Sequence, residues 1–265
     1  MCKISRKTQG FTLVELSIVI IIIGFLIAGI AAGSSLIKQA KLNHVITEYN
    51  EYNTAIKDFQ VRYNALPGDM AGAFAFWGTN CAATAALCNG DGNGVIDPGY
   101  NPNIAHNQEP FMAWKHLNLA GILPGNYTGA SSLNTNEAVV GVDVPVSSFN
   151  GGGWWMGYTP DFDHMFTHGH APSARQALQI GAPHAGSFAD EAIFTPLDAS
   201  NLDTKIDDGL PFTGNVAGIC PTSSETCGCV IGTVFTGSGA YNIAEPSVKC
   251  RMWFTYSQTN RVGTS

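Results

Sequence analysis

The feature that most constrains this chain is the run from Ile18 to Gly33, which contains no charged and no polar side chain. Widened to Phe11–Ile37, it holds a single ionisable group, Glu15. At about 1.5 Å per residue, roughly 20 apolar residues in a helix cross a bilayer core of about 30 Å. This segment is therefore long and apolar enough to span a membrane. In front of it, residues 1–10 (MCKISRKTQG) are short and basic, with Lys3, Arg6 and Lys7 and no acid. An ordinary secretory signal is cut after its apolar stretch, at a small-residue site. No clear A-x-A site follows here, and the polar stretch ends sharply at Gly10-Phe11. The basic residues hold the N-terminus on the cytoplasmic side and send the C-terminus outward.

Downstream, the apolar positions fall at Leu42, Val45, Tyr49, Tyr52, Ile56, Phe59, Tyr63 and Leu66, in alternating steps of three and four. That is the stripe of an amphipathic helix. Lys38, Lys41, Glu48, Glu51, Lys57 and Asp58 mostly fall off it. Aromatic residues fill half the stripe, which favours a seam docked on a sheet of the same chain over a coiled coil. Asn64-Ala-Leu-Pro67-Gly68-Asp69 stops the helix. The expected organisation is a leader at residues 1–10, a hydrophobic helix at 11–37, its amphipathic continuation at 38–66 and a globular head at 67–265. The helix from Phe11 to about Leu66 would be about 80 Å long.

The head is rich in glycine, proline and asparagine, which suits short elements joined by many loops. Helices are expected at Pro110–Ala120 and at Pro196–Asp208, the latter after Thr195 with Asp198 three residues on. Strands are expected at Ala138–Val146, Val230–Thr236 and Val248–Tyr256, where Cys250, Met252, Phe254 and Tyr256 alternate with Lys249, Arg251, Trp253 and Thr255. A long helix packed on an antiparallel sheet with large insertions is an α+β fold.

Charged residues make up only 12% of the chain and the formal net charge is −7. Without the leader, 10 basic residues face 20 acidic ones. An acidic head repels phosphate backbones, so nucleic acid is not the default partner. Of seven cysteines, Cys2 lies in the leader; Cys81, Cys88, Cys220, Cys227, Cys229 and Cys250 lie in the head. An even number in an exported domain points to disulfides. The connectivity is open, with the short Cys81–Cys88 loop the first expectation. Zinc is the weaker reading, because no C-x-x-C pair occurs and Cys227-Gly-Cys229 is too crowded.

Gly10-Phe11-Thr12-Leu13-Val14-Glu15 resembles the class III signal of type IV prepilins and type II secretion pseudopilins. The resemblance implies cleavage between Gly10 and Phe11 by prepilin peptidase and N-methylation of the new Phe11 amine by the same enzyme. It implies a pilin-like fold and a structural subunit, a major or minor pilin, rather than an enzyme. The alternatives are a secretion pseudopilin and a tip-displayed adhesin or calcium-dependent binding module. Implied partners are other pilin subunits, prepilin peptidase and an inner-membrane assembly platform. The subunit would wait in the inner membrane with its head in the periplasm and end in an extracellular or periplasmic filament. Many members carry a proline at the position of Ala32, which this chain lacks.

Glu15 is expected to act in assembly. A carboxylate on an apolar helix is costly, and such a residue is a functional candidate by default. The nearest cation that identical chains supply is a neighbour's Phe11 amine. In hydrocarbon that attraction far exceeds its strength in water, so the pair would set the axial register of subunits. Gly29 and Gly33 form a G-x-x-x-G pattern that lets helices approach closely.

Two head segments carry metal-ligand residue types. Residues 89–97 read like the first nine positions of a calcium loop. Oxygen ligands would come from Asn89, Asp91, Asn93, the Val95 carbonyl and Asp97, with Gly94 at the turn. Calcium is the one cofactor so implied. The twelfth position is Tyr100 where a bidentate glutamate belongs, so a ligand such as Glu109 must come from elsewhere. The second segment gathers Asp161, Asp163, His164, His168 and His170, but matches no established motif and reads as a polar surface loop. Trp154-Trp155 reads as packing before it reads as a binding surface. Asp198, Asp203, Asp207 and Asp208 read as a solvated helix face.

Overall fold

The computed structural model describes residue 10 and residues 12–97, 109–132, 137–159, 175–211, 213–221, 227–232 and 239–257. The Asp161–His170 cluster lies outside the described residues. Two compact units divide the chain, Met1–Lys41 and Leu42–Ser265.

Helix α1 runs from Leu13 to Tyr63 and, without a proline at Ala32, is continuous there. Within the first unit the large apolar side chains of α1, from Leu13 to Ile37, are all exposed. This is the stretch whose length and composition suffice to cross a membrane.

The second unit is α+β. Strands β1 (Gly153–Thr159), β2 (Arg175–Gly181), β3 (Val216–Ile219) and β6 (Arg251–Ser257) form an antiparallel sheet in the order β1-β2-β6-β3. A two-stranded ribbon, β4 (Val230–Ile231) with β5 (Ala240–Tyr241), forms a separate sheet. One sheet face carries Trp154, Met156, Leu178, Ile180, Met252, Phe254 and Val216 into the main core. Residues 42 to 66 supply the other side of that core: every residue of the expected stripe is buried there except Tyr63, which packs against it. Tyr49 stacks on Phe254 with centroids 4.9 Å apart, and Tyr52 meets Trp154 edge-on at 5.4 Å. The amphipathic half of α1 is thus a seam on a sheet of its own chain. The opposite sheet face holds a second cluster of Trp155, Ala177, Ile219 and Trp253.

Helices α2 (Ala73–Trp77), α3 (Ala85–Cys88), α4 (Glu109–Leu119) and α5 (Pro196–Ile206) complete the described helices longer than one turn. Helix α5 opens with the expected capping box. The Thr195 hydroxyl accepts the Asp198 amide, and the Thr195 amide donates to the Asp198 carboxylate. Cys81–Cys88, Cys220–Cys227 and Cys229–Cys250 are disulfides, so Cys227 and its near neighbour Cys229 serve different bridges.

Three expectations need correction. Residues 138–146 form a turn with isolated bridges, not a strand. Gly141 sits at φ +84°, and the Asp143 carboxylate gathers the Val139 and Ser132 amides, so local side-chain bonding displaces a ladder. The acidic stretch is not a solvated face, because Asp198 and Asp203 are buried. Glu48, placed off the stripe, is buried as well. Its carboxylate accepts the Ser147 hydroxyl at 2.6 Å, the Ser148 amide at 2.9 Å and the Trp154 indole N–H at 2.8 Å. It thereby pins α1 to the turn before β1 and to β1 itself.

Replacing Glu48 by alanine strands the Trp154 and Ser148 donors in the core. Each stranded donor costs about 1–3 kcal/mol. Urea unfolding of residues 42–265 should show a loss of about 3 kcal/mol for Glu48→Ala. A loss below about 0.5 kcal/mol, the range of ordinary surface changes, would contradict this role.

Candidate functional site

At its N-terminal end, α1 begins with a polar device. Thr12 precedes the first helical residue, Leu13, and Glu15 lies in the first turn. The Thr12 hydroxyl accepts the Glu15 amide at 3.2 Å. In return the Glu15 carboxylate accepts from the Thr12 amide at 2.8 Å and from the Thr12 hydroxyl at 2.9 Å, both at Oε2. This is a capping box: each residue satisfies a backbone N–H of the other that the helix leaves without a partner. A carboxylate at a helix N-terminus also meets the positive end of the helix dipole. Sequence reasoning singled out Glu15 for its isolation among apolar residues and did not use the Thr-x-x-Glu spacing that marks the box.

In the head, the calcium-like loop lies against the turn that follows α1. Gly68 takes φ +86°, and a Cβ there would lie 2.4 Å from the Glu109 carbonyl oxygen. A Cβ on Gly90 would lie 2.3 Å from the Gly68 carbonyl oxygen. Two backbones cross at these glycines, and only residues without a side chain allow it. His116 of α4 locks the crossing: its Nδ1 accepts the Gly68 amide at 3.0 Å, and its Nε2 donates to the Cys88 carbonyl at 3.0 Å. Burial pushes the His116 imidazole down to about 4, so it stays neutral at physiological pH.

The crossing delivers Asp69 and Glu109 to the loop. Asp69 accepts the Asn93 and Gly94 amides, each at 2.9 Å. Glu109 accepts the Asp91 amide at 3.1 Å and the Asp97 amide at 2.7 Å. One carboxylate oxygen from each of Asp69, Asp91 and Glu109 lies within 4.8 Å of the others. Of the expected ligands, Asn93 bridges Asp91 and Asp97 through Nδ2 at 2.9 Å, and its Oδ1 accepts the Val95 amide. Asn89 turns its Oδ1 to the Phe74 amide at 2.7 Å, at the start of α2. Asp69 was not among the expected residues; nothing local in the sequence links it to residue 91, more than twenty positions away.

Asp69 and Glu109 are both buried. Burial pushes Glu109 up to about 8 and Asp69 up to about 6, against the lowering effect of the amides each accepts. Two buried carboxyls beside a third are held at neutral pH by protons or by a cation. A hard cation such as calcium takes oxygen ligands of this kind.

A second acidic group, Asp203, Asp207 and Asp208, gathers at the end of α5. Its members hold the following loop: Asp203 accepts the Tyr241 hydroxyl at 2.6 Å and the Gly209 amide at 3.1 Å, and Asp208 accepts the Leu210 amide at 2.9 Å. Trp154 and Trp155, the other candidate binding residues, are buried on opposite faces of the sheet.

A pH dependence follows for Glu109. Its folded pKa lies above its unfolded value of 4.5, so the folded state holds the extra proton between about pH 4.5 and 8. Stability then falls as pH rises through that window. In a chelator, wild type should lose on the order of 2 kcal/mol more than Glu109→Gln between pH 5 and pH 8 in urea unfolding. Parallel curves for the two proteins would contradict the burial of this carboxyl.

A family model described as the prokaryotic N-terminal methylation motif matches residues 5–31. No curated protein and no solved structure matches the chain. The matched residues contain Gly10-Phe11, the Thr12–Glu15 box and most of the exposed apolar part of α1. The chain thus carries, at the head of a membrane-length helix, the class III signal of the type IV prepilins and pseudopilins.

Proposed function

We propose that this chain is a structural subunit, a major or minor pilin, of a type IV pilus-like filament. The observation that carries the reading is the methylation motif set directly on a long helix with exposed apolar side chains. Prepilin peptidase cuts between Gly10 and Phe11 and methylates the Phe11 amine. Before assembly the apolar helix lies in the inner membrane with the head in the periplasm. Three disulfides in the head suit that oxidising compartment. In the filament the apolar helices leave lipid for one another, and Glu15 pairs with the Phe11 amine of a neighbouring subunit to set the register. The large, disulfide-rich head favours a displayed pilin over a secretion pseudopilin. No sequence feature or side-chain arrangement described above supports catalysis.

The convergence of Asp69, Asp91 and Glu109 favours a second element of the reading, a calcium ion bound in the head. Asp91, Asp97 and the Val95 carbonyl would supply loop ligands, and Asp69 and Glu109 would replace the missing twelfth-position glutamate. The ion would neutralise the buried carboxyls and stiffen the crossing of residues 68–69 and 90.

Two experiments test these statements. Glu15→Ala should be cleaved and membrane-inserted as wild type, yet yield at least tenfold fewer sheared filaments; a normal yield would remove the register role. Calcium at a hundredfold excess over its dissociation constant should stabilise the head by about 2.7 kcal/mol at pH 8. Asp69→Asn should abolish that gain. An unfolding midpoint that ignores calcium would remove the ion from the account.

A further inference from the structure

Three asparagine–glycine pairs occur in the chain: Asn89-Gly90, Asn93-Gly94 and Asn150-Gly151. This dipeptide is prone to attack itself, because glycine has no side chain to keep its own nitrogen away from the preceding carboxamide. The fold treats the three pairs differently. The Gly90 amide donates to the Met70 carbonyl at 3.2 Å, and the Gly94 amide donates to the Asp69 carboxylate at 2.9 Å. Both nitrogens are therefore occupied, and a carboxylate beside the second makes it harder to deprotonate. The carboxamides are occupied too. Asn89 Oδ1 accepts the Phe74 amide, Asn93 Oδ1 accepts the Val95 amide, and Asn93 Nδ2 donates to Asp91 and Asp97.

Asn150-Gly151 carries none of these restraints. The pair is exposed at the tip of the hairpin that joins Val146 to Gly153. Asn150 takes φ +52° and Gly151 φ +70°, and the Gly152 amide donates to the Phe149 carbonyl at 3.1 Å. A tight turn with two positive φ angles favours this dipeptide. Among the described residues, neither the Asn150 carboxamide nor the Gly151 amide has a hydrogen-bond partner. Nothing lies within 4 Å of the point where a Cβ on Gly151 would sit. Opening the turn breaks one backbone hydrogen bond and lets Asn150 leave the left-handed region, so local fluctuations bring the carboxamide onto the Gly151 nitrogen.

We propose that Asn150 is a modification site, converting spontaneously to aspartate and isoaspartate while Asn89 and Asn93 persist. The Gly151 nitrogen gives up its proton and bonds to Asn150 Cγ. The Cγ–Nδ2 bond breaks, and ammonia leaves carrying that proton. Water then opens the resulting succinimide: addition at Cγ gives aspartate, and addition at the backbone carbonyl gives isoaspartate. The sum is asparagine plus water to a carboxylic acid plus ammonia, with no oxidant or reductant. Each event adds one carboxylate to an already acidic head. Isoaspartate also lengthens the backbone by a methylene close to Ser147 and Ser148, which hold Glu48.

The purified full-length chain, aged in detergent in mildly alkaline buffer, tests this. Peptide mapping by mass spectrometry follows the three asparagines side by side, and labelling by an isoaspartyl methyltransferase identifies isoaspartate. In the folded chain Asn150 should convert at least tenfold faster than Asn89 or Asn93, whose hydrogen bonds must first break. In concentrated urea only the local sequence counts, and the three rates should come within about threefold of one another. An Asn150 that converts no faster than the other two in the folded chain would overturn the proposal. An Asn150 that keeps its full lead in urea would overturn it as well, because the fold would then not be what selects this site.

Discussion

Removing apolar surface from water is the constraint on which the rest of this structure depends, and the two units meet it in different ways. From Leu13 to Ile37 the helix exposes leucine, isoleucine, valine and phenylalanine on all sides. A helix that is apolar all round has no preferred face to bury, so lipid or a bundle of like helices must surround it. Beyond Lys41 the same helix becomes one-sided, and its chain of buried residues from Leu42 to Phe59 closes the core of the head. A single secondary-structure element thus answers to two solvents, and the change in its pattern marks the boundary between units.

Two carboxylates along this helix are held by specific partners. Glu15 is held by Thr12 at the start. Glu48 gathers a hydroxyl, an amide and an indole N–H from the head. A buried carboxylate with several donors costs little to keep and much to disturb. Glu48 therefore acts as a fixed point where the helix meets its own sheet, whereas the exposed Glu15 is held by its capping box alone.

Periodicity made α1 legible in the sequence, because its pattern is long and the stop at Asn64-Ala-Leu-Pro67-Gly68-Asp69 is clear. The alternation of Arg251–Ser257 was equally readable, and Thr195 with Asp198 announced α5. Strand β1 was not readable. Gly153 and Gly157 weaken its strand signal, yet both are required by packing. A Cβ on Gly153 would strike Val140 and Ala189, and one on Gly157 would lie 2.3 Å from the Trp155 ring. Because both faces of β1 are buried, Trp154 and Trp155 broke the polar–apolar alternation that usually marks a strand. Of the acidic site, the loop at Asp91–Asp97 was legible from its local spacing and Glu109 from the gap at the twelfth position. Asp69 was not, since only the backbone crossing at Gly68 and Gly90 brings it near.

A freed and methylated first residue is what would turn this membrane-length helix into a building block, so the mature N-terminus carries the central claim. Intact-mass and fragment analysis of the protein from its native membrane or filament reads it directly. The account predicts a chain that begins at Phe11 with a single methyl group on its amine. A chain that still begins at Met1, or that starts beyond Ile37, would contradict it.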